Sequence, residues 1–378
     1  MLVWCGLATL LSALDGSVLF LALPAISAEF HARVPSLANL GSVVALGALG
    51  ALPLGMLGDR RGRKLVIATG TAGFGIADIA SSLAPSLAAL AALRVTAVIF
   101  ETAVAQSALV LAVEEMPARH RGLGAAAMTL AAGVGAGMAT IAYPIVAPHW
   151  RLLYLAGVLA LPVSVLVWLR LPESAAWQET RTLPRLAWRG PWVRRLVILL
   201  VSALLTAVLY EPASIFLAYY GSATLRLTPL VISAVILAAS VVGGLAYFGG
   251  GWLTDIVGRR LLGAGLAVLA AVGGAVTFAG GLPLFWAGTL GASAAGSAAS
   301  PVIGAWMVEL LPTRVRVTAE TLDVAAGALG GVAGLQLAAA LSGRLGLGPA
   351  IALTGAFAVL GAVVLLLLPE TRGAPLEA

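Results

Sequence analysis

Gly55-Met56-Leu57-Gly58-Asp59-Arg60-Arg61-Gly62-Arg63-Lys64 and Gly251-Trp252-Leu253-Thr254-Asp255-Ile256-Val257-Gly258-Arg259-Arg260 are two copies of one ten-residue pattern, each set between long apolar stretches. Their starts lie 196 residues apart (55 to 251). Working outward, two more pairs keep that interval. Glu114-x-x-Pro117-x-x-x-Arg121 returns 195 residues later as Glu309-x-x-Pro312-x-x-x-Arg316, and Pro172-Glu173-Ser174 returns 197 residues later as Pro369-Glu370-Thr371. The chain of 378 residues is therefore a duplication of a unit about half its length.

Composition identifies the solvent. Hydrophobic residues make up 61% of the chain and charged residues 10%, against roughly 25% charged in a soluble domain. Apolar runs long enough to cross a bilayer, about 20 residues each, occupy 3–24, 36–57, 65–85, 89–113, 122–147, 152–171, 195–219, 229–250, 261–280, 283–308, 318–341 and 347–368. Backbone groups in lipid must be paired within their own segment, so all twelve are expected to be helices. The glycines from Gly133 to Gly137 are read as close packing within a helix. The expectation is an all-α membrane protein: twelve transmembrane helices in two pseudo-symmetric six-helix bundles, 1–172 and 194–378, joined by a cytoplasmic linker, 173–193.

Arginine placement orients the spans. Seventeen of the 22 basic residues, Arg60, Arg63, Lys64, Arg121, Arg259 and Arg316 among them, fall on one side. Arg33, Arg151, Arg226 and Arg344 fall on the other, and Arg94 lies within a span. By the positive-inside rule both termini are cytoplasmic, in a multi-pass protein of the cytoplasmic (inner) membrane. The formal charge of +6 then resides in a cytoplasmic belt facing anionic lipid, and nucleic acid is not implied as a partner. A cleaved signal peptide is the competing reading of the first run. It lacks a basic leader, and Asp15 interrupts it. The one cysteine, Cys5, excludes an intramolecular disulfide.

The repeated patterns and their membrane positions resemble the major facilitator superfamily over nearly the whole chain. Gly55 to Lys64 is similar to that family's loop 2-3 signature, and Gly251 to Arg260 to its loop 8-9 copy, with Ile256 in place of an arginine. The Glu114 to Arg121 and Pro-Glu-Ser/Thr motifs, with Arg94 in the fourth span, resemble the sugar-porter and metabolite-proton symporter branches. The resemblance implies cytoplasmic latches, Asp59, Arg63, Glu114 and Arg121 in one half and Asp255, Arg259, Glu309 and Arg316 in the other, that break as access alternates. Gly55 and Gly251 are read as positions where helices approach closely. The bland reading of these charges is static packing and control of loop translocation.

Ionisable residues within the membrane are costly and are functional candidates by default. Asp15, Arg94 and Glu101 form the expected proton-coupling unit. Arg94 and Glu101 are seven residues apart, two turns along one helix face. A permanent Asp15–Arg94 ion pair is the alternative. Asp78 is left open, and Glu320 and Asp323, in the first turns of their span, are read as dipole-stabilised rim charges. Tyr210, Glu211, Gln106, Gln336, Tyr219 and Tyr220 are candidates for the substrate pocket, beside the kink that Pro212 introduces. The tyrosine pair resembles the outer-gate tyrosines of sugar porters, and an interfacial aromatic belt explains it equally.

A sugar is disfavoured. Asn39 is the only asparagine, Gln106 and Gln336 are the only glutamines within spans, and a polyol needs many convergent hydrogen-bond partners. A small organic acid, an aromatic or amphiphilic metabolite or a cation remains. The only lysine, Lys64, precedes Leu65, so no Gly-Lys-Ser/Thr phosphate loop exists and ATP is not expected to drive the protein. His31, His120 and His149 lack the spacing of metal or haem ligands. The reading is a secondary transporter, not an enzyme, with no cofactor and no metal, driven by the proton gradient and functional as a monomer. Proton symport is the first expectation. Proton-drug antiport on the same fold is the second, and a transport-inactive sensor a remote third.

Overall fold

The computed structural model describes residues 1–116, 121–173, 190–311 and 316–371. Gly251 and the side chains of Asp59, Glu114, Arg121, Asp255, Glu309, Arg316 and Glu320 lie outside what is described, as does most of the expected linker.

The chain is all-helical, with twelve principal helices. These are α1 (Leu2–Glu29), α2 (Val34–Gly47, continuing through Ala48–Ala51 into Leu52–Arg61), α3 (Arg63–Ser82), α4 (Leu87–Glu114), α5 (Arg121–Val146) and α6 (Arg151–Tyr154, continuing through Leu155–Leu159 into Ala160–Arg170). Then follow α7 (Pro191–Tyr219), α8 (Pro229–Val257), α9 (Arg259–Thr277), α10 (Gly281–Leu310), α11 (Arg316–Leu345) and α12 (Leu347–Val364). Among the described residues eleven helices are long and apolar enough to cross a membrane. The remaining one, α10, has 30 residues.

Two compact units result: Met1–Ala32 with Val43–Pro184, and Arg33–Ser42 with Arg185–Ala378. The start of α2 thus belongs with the second unit. Gln336 on α11 reaches it there, its Nε2 donating to Asn39 Oδ1 (3.0 Å) and Ser42 Oγ (2.9 Å).

The duplication is visible in the backbone. Gly62 (φ +108°) starts α3 and Gly258 (φ +102°) starts α9, 196 residues apart, while His31 (φ +48°) and Arg226 (φ +55°), 195 apart, hold left-handed turns at the opposite ends of the units. Glycine adopts angles such as those of Gly62 and Gly258 freely, whereas a side chain there is strained.

Of the three glycines from Gly133 to Gly137 in α5, one makes a close approach. A Cβ on Gly135 would strike the Leu10 carbonyl of α1, whereas Gly133 and Gly137 have no described atom that near. Pro212 in α7 removes the donor that Val208 O would otherwise receive, and Gly334 of α11 packs its bare Cα against that carbonyl.

Gly55, on α2, is read differently from Gly62. No described atom lies within 4 Å of a Cβ built at Gly55. The glycine of the motif that lacks room is Gly62.

Candidate functional site: a buried charge cluster in the first unit

Four ionisable side chains converge in the first unit. Arg94, on α4, donates from Nη1 to Asp15 Oδ1 of α1 (2.9 Å) and to Asp78 Oδ1 of α3 (2.6 Å). Its Nη2 donates to Asp15 Oδ2 (3.0 Å) and to Glu101 Oε1 (3.1 Å). Asp15 is therefore held by both prongs of the guanidinium, the strongest geometry available to an arginine and a carboxylate. Arg94 and Asp78 are 1% exposed, Asp15 3% and Glu101 8%. The Tyr154 ring of α6 closes one face, 4.8 Å from the guanidinium carbon.

Local sequence makes room for this cluster. Gly16 gives Glu101 its space: a Cβ there would sit 3.4 Å from Glu101 Oε2. Gly157 does the same for Asp78, since a Cβ there would lie 2.5 Å from Asp78 Cβ. Around the charges pack Leu11, Phe74, Ala97, Val104 and Ala160, which exclude water. A cavity of about 10 Å³ remains, lined by Leu14, Asp15, Phe74, Asp78 and Gly157, large enough for about one water.

One guanidinium meets three carboxylates, so the fully ionised cluster carries a net charge of −2 (one positive, three negative). Carboxylate oxygens of Asp15, Asp78 and Glu101 lie within 4.8 Å of one another, a spacing that a metal ion also accepts. Here Arg94 supplies the positive charge. Arg94 Nε and the Tyr154 hydroxyl are buried without a hydrogen-bond partner.

The three residues expected to act together are thus brought together, with two additions. Asp78 was legible in principle: α3 and α4 form a tight antiparallel hairpin, and counting back from its turn places Asp78 within a few residues of the depth of Arg94. Tyr154 carried no such signal.

A second pair of residues, Glu173 and Glu370, was missed as a site. The backbone N–H groups of Arg63 and Lys64 donate to Glu173 Oε1 (2.9 and 3.4 Å). Those of Arg259 and Arg260 donate to Glu370 Oε1 and Oε2 (2.9 and 3.0 Å). Each Pro-Glu-Ser/Thr motif therefore places a carboxylate on the positive end of a helix. Gly62 and Gly258 lie under those carboxylates, where a Cβ would collide with the glutamate. At the other end of the first unit Arg151 pairs with Glu29 (2.6 Å) and donates to the carbonyls of Ser82 and Ala84 (2.8 and 2.9 Å), tying the ends of α1, α3 and α6.

The pocket candidates scatter. Tyr210 and Gln106 are exposed, and Glu211 is half-buried against Gly331 of α11. Tyr220 is buried, its ring tilted on Phe278 and Phe285 and its hydroxyl donating to Phe278 O (3.4 Å), while Tyr219 stacks edge-on with Phe216. Both amide hydrogens of Gln336 are directed at Asn39 and Ser42.

This chain belongs to the Major Facilitator Superfamily, whose family description it matches over residues 5–260. The family is one of secondary membrane transporters and not of enzymes. The chain is 32% identical over 190 residues to a gallate transporter of Pseudomonas putida, covering 48% of this chain and 42% of that one. It is 31% identical over 182 residues to the 4-hydroxybenzoate transporter PcaK of Pseudomonas aeruginosa, covering 47% and 40%. The chain thus spans less than half the length of these relatives. In fold it is similar to the xylose transporter XylE from E. coli (TM-score 0.79, 16% identity, 99% and 97% of the two chains). It is also similar to a bacterial homologue of the lysosomal transporter Spinster (TM-score 0.77, 17% identity, 97% and 95%).

Proposed function

We propose that this protein imports a small aromatic carboxylate together with protons, by alternating access of its two halves. The observation that carries the reading is the Asp15–Asp78–Arg94–Glu101 cluster. In the resting arrangement both Nη groups of Arg94 are committed to carboxylates. Each proton taken up by a carboxylate lowers the negative charge and weakens one hold on the guanidinium. A freed guanidinium matches an incoming organic carboxylate in the same two-pronged way. Proton and anion then favour each other's binding, which is the linkage a symporter needs. Resemblance to transporters of gallate and 4-hydroxybenzoate supports the aromatic acid as the class of substrate.

The motif residues Asp59, Arg63, Glu114 and Arg121, with Asp255, Arg259, Glu309 and Arg316, serve in this reading as ion-pair latches on the cytoplasmic side, where both termini lie. The carboxylate caps from Glu173 and Glu370 hold α3 and α9 beside them. Drug-proton antiport is the second reading. An excess of two acids over the single buried base favours an organic cation there.

Uptake into proteoliposomes separates the two. With acid outside, 4-hydroxybenzoate or gallate is expected to accumulate above equilibrium, and Asp15→Asn to abolish accumulation while leaving exchange. Normal accumulation in that variant removes Asp15 from the mechanism. Proton-driven extrusion of an organic cation with no aromatic acid uptake establishes the antiporter instead.

A further inference from the structure

Shifted by 196 residues, Asp15 falls on Glu211 but Arg94 on Leu290, so among the described residues the second unit keeps one acid of the charge cluster without its arginine, and a cavity stands where the other acids would be. The 196-residue interval carries Phe74, Asp78 and Glu101 of the first unit onto Ala270, Gly274 and Ser297. All three small residues line one cavity of about 650 Å³. In the first unit α1 packs directly on α4, whereas α7 and α10 scarcely touch. Exchanging a phenyl ring and two carboxylate side chains for hydrogen, methyl and hydroxymethyl empties the space between these helices. The volume falls within the range of small-molecule sites, about 300–1,000 Å³.

The wall specifies its guest. Leu209, Leu217, Ile236 and Ile303 are apolar, and no charged residue lines the cavity. Most of its hydroxyls are already spent as donors, those of Tyr210, Ser297 and Ser300 excepted. Thr289 donates to Phe285 O (2.7 Å), Ser293 to Ala239 O (2.6 Å), Ser240 to Ile236 O (2.9 Å) and Ser214 to Glu211 O (3.1 Å). A hydroxyl whose proton is committed keeps only acceptor capacity. The cavity therefore suits an apolar body carrying hydroxyl groups, and it offers a carboxylate no counter-charge. Tyr210, Ser240 and Ser300 at its rim are exposed, so it has an open mouth.

We infer that this cavity binds an uncharged, hydroxylated aromatic ring, selecting phenols. The inference rests on the aromatic-acid reading for its place in transport. Binding to the cavity itself can be measured apart from transport.

The test uses the full chain in nanodiscs with pyrogallol, an uncharged trihydroxybenzene, as the probe in equilibrium dialysis. Saturable binding is expected, with 4-hydroxybenzoate displacing pyrogallol about fivefold better than benzoate, the worth of one net hydrogen bond. Ala292→Phe, which fills the cavity, is expected to weaken pyrogallol binding tenfold or more. Thr289→Val, which keeps the shape and removes an acceptor, is expected to narrow the gap between 4-hydroxybenzoate and benzoate. Absence of saturable pyrogallol binding overturns the inference, as does wild-type binding by a folded Ala292→Phe protein. If Ala292→Phe does not fold, an unchanged gap in Thr289→Val overturns it. Pyrogallol binding without proton-driven uptake of any aromatic acid leaves the cavity standing and removes the transport reading. Uptake without pyrogallol binding does the reverse.

Discussion

Arg94 is the residue on which the first unit's chemistry turns, because it is the one fully buried cation among the described residues and it faces three buried acids. Removing one member of a buried charge network leaves the rest uncompensated and costs about 3–5 kcal/mol. Arg94→Met is therefore expected to lower the unfolding temperature of the detergent-solubilised protein sharply. Arg94→Lys should recover part of that loss, since lysine restores the charge but cannot supply the two-pronged geometry. Tyr154 gives the opposite expectation. Its ring lies on the guanidinium while its hydroxyl is buried without a partner. An unsatisfied buried hydroxyl costs about 1–3 kcal/mol, so Tyr154→Phe keeps the ring contact and should leave stability unchanged or raise it. A fall in the unfolding temperature would place a bound water on that hydroxyl.

At the scale of elements, the two halves repeat one device: a left-handed glycine, a helix start and a glutamate from the end of the same unit. Gly62→Ala forces a side chain onto φ +108° and into the Glu173 carboxylate, and is expected to cost roughly 2 kcal/mol or more. Gly55→Ala, on a helix with no described atom within 4 Å of the new Cβ, should be neutral or stabilise by about 0.5–1 kcal/mol. Parallel thermal unfolding of the two variants checks the assignment, and equal losses would refute it. The repeat itself was legible because motif intervals survive duplication. Which glycine mattered was not, since sequence spacing says nothing of what stands above a Cα. Glu173 was likewise visible as a motif, yet its partner lies 110 residues away (63 to 173), and only packing reveals such a pair.

For the whole molecule, the arginine asymmetry predicts that the loops bearing the repeated motif share one side of the membrane. In a Cys5→Ser background, Arg61→Cys should be labelled by an impermeant maleimide only from the cytoplasmic face, and Arg226→Cys only from the opposite one. Labelling of both from one face would overturn the topology. Residues 33–42 side with the second unit, where Gln336 donates to Asn39 and Ser42. Hydropathy could not foresee that contact, since it scores each span alone.

Helix count, duplication and family were set by the sequence alone, because the bilayer forces every apolar run into a helix and repeated motifs fix their order. Depth along a helix was also readable, which is how Asp15, Arg94 and Glu101 were singled out. The tertiary structure decided which depths share a space. It drew Asp78 and Tyr154 into the cluster, left Tyr210 and Gln106 exposed, and opened a cavity in one unit where its twin is filled with charge. Such choices depend on the rotation of helices about their axes and on the volume of a few facing side chains, quantities that exist only once the helices are packed.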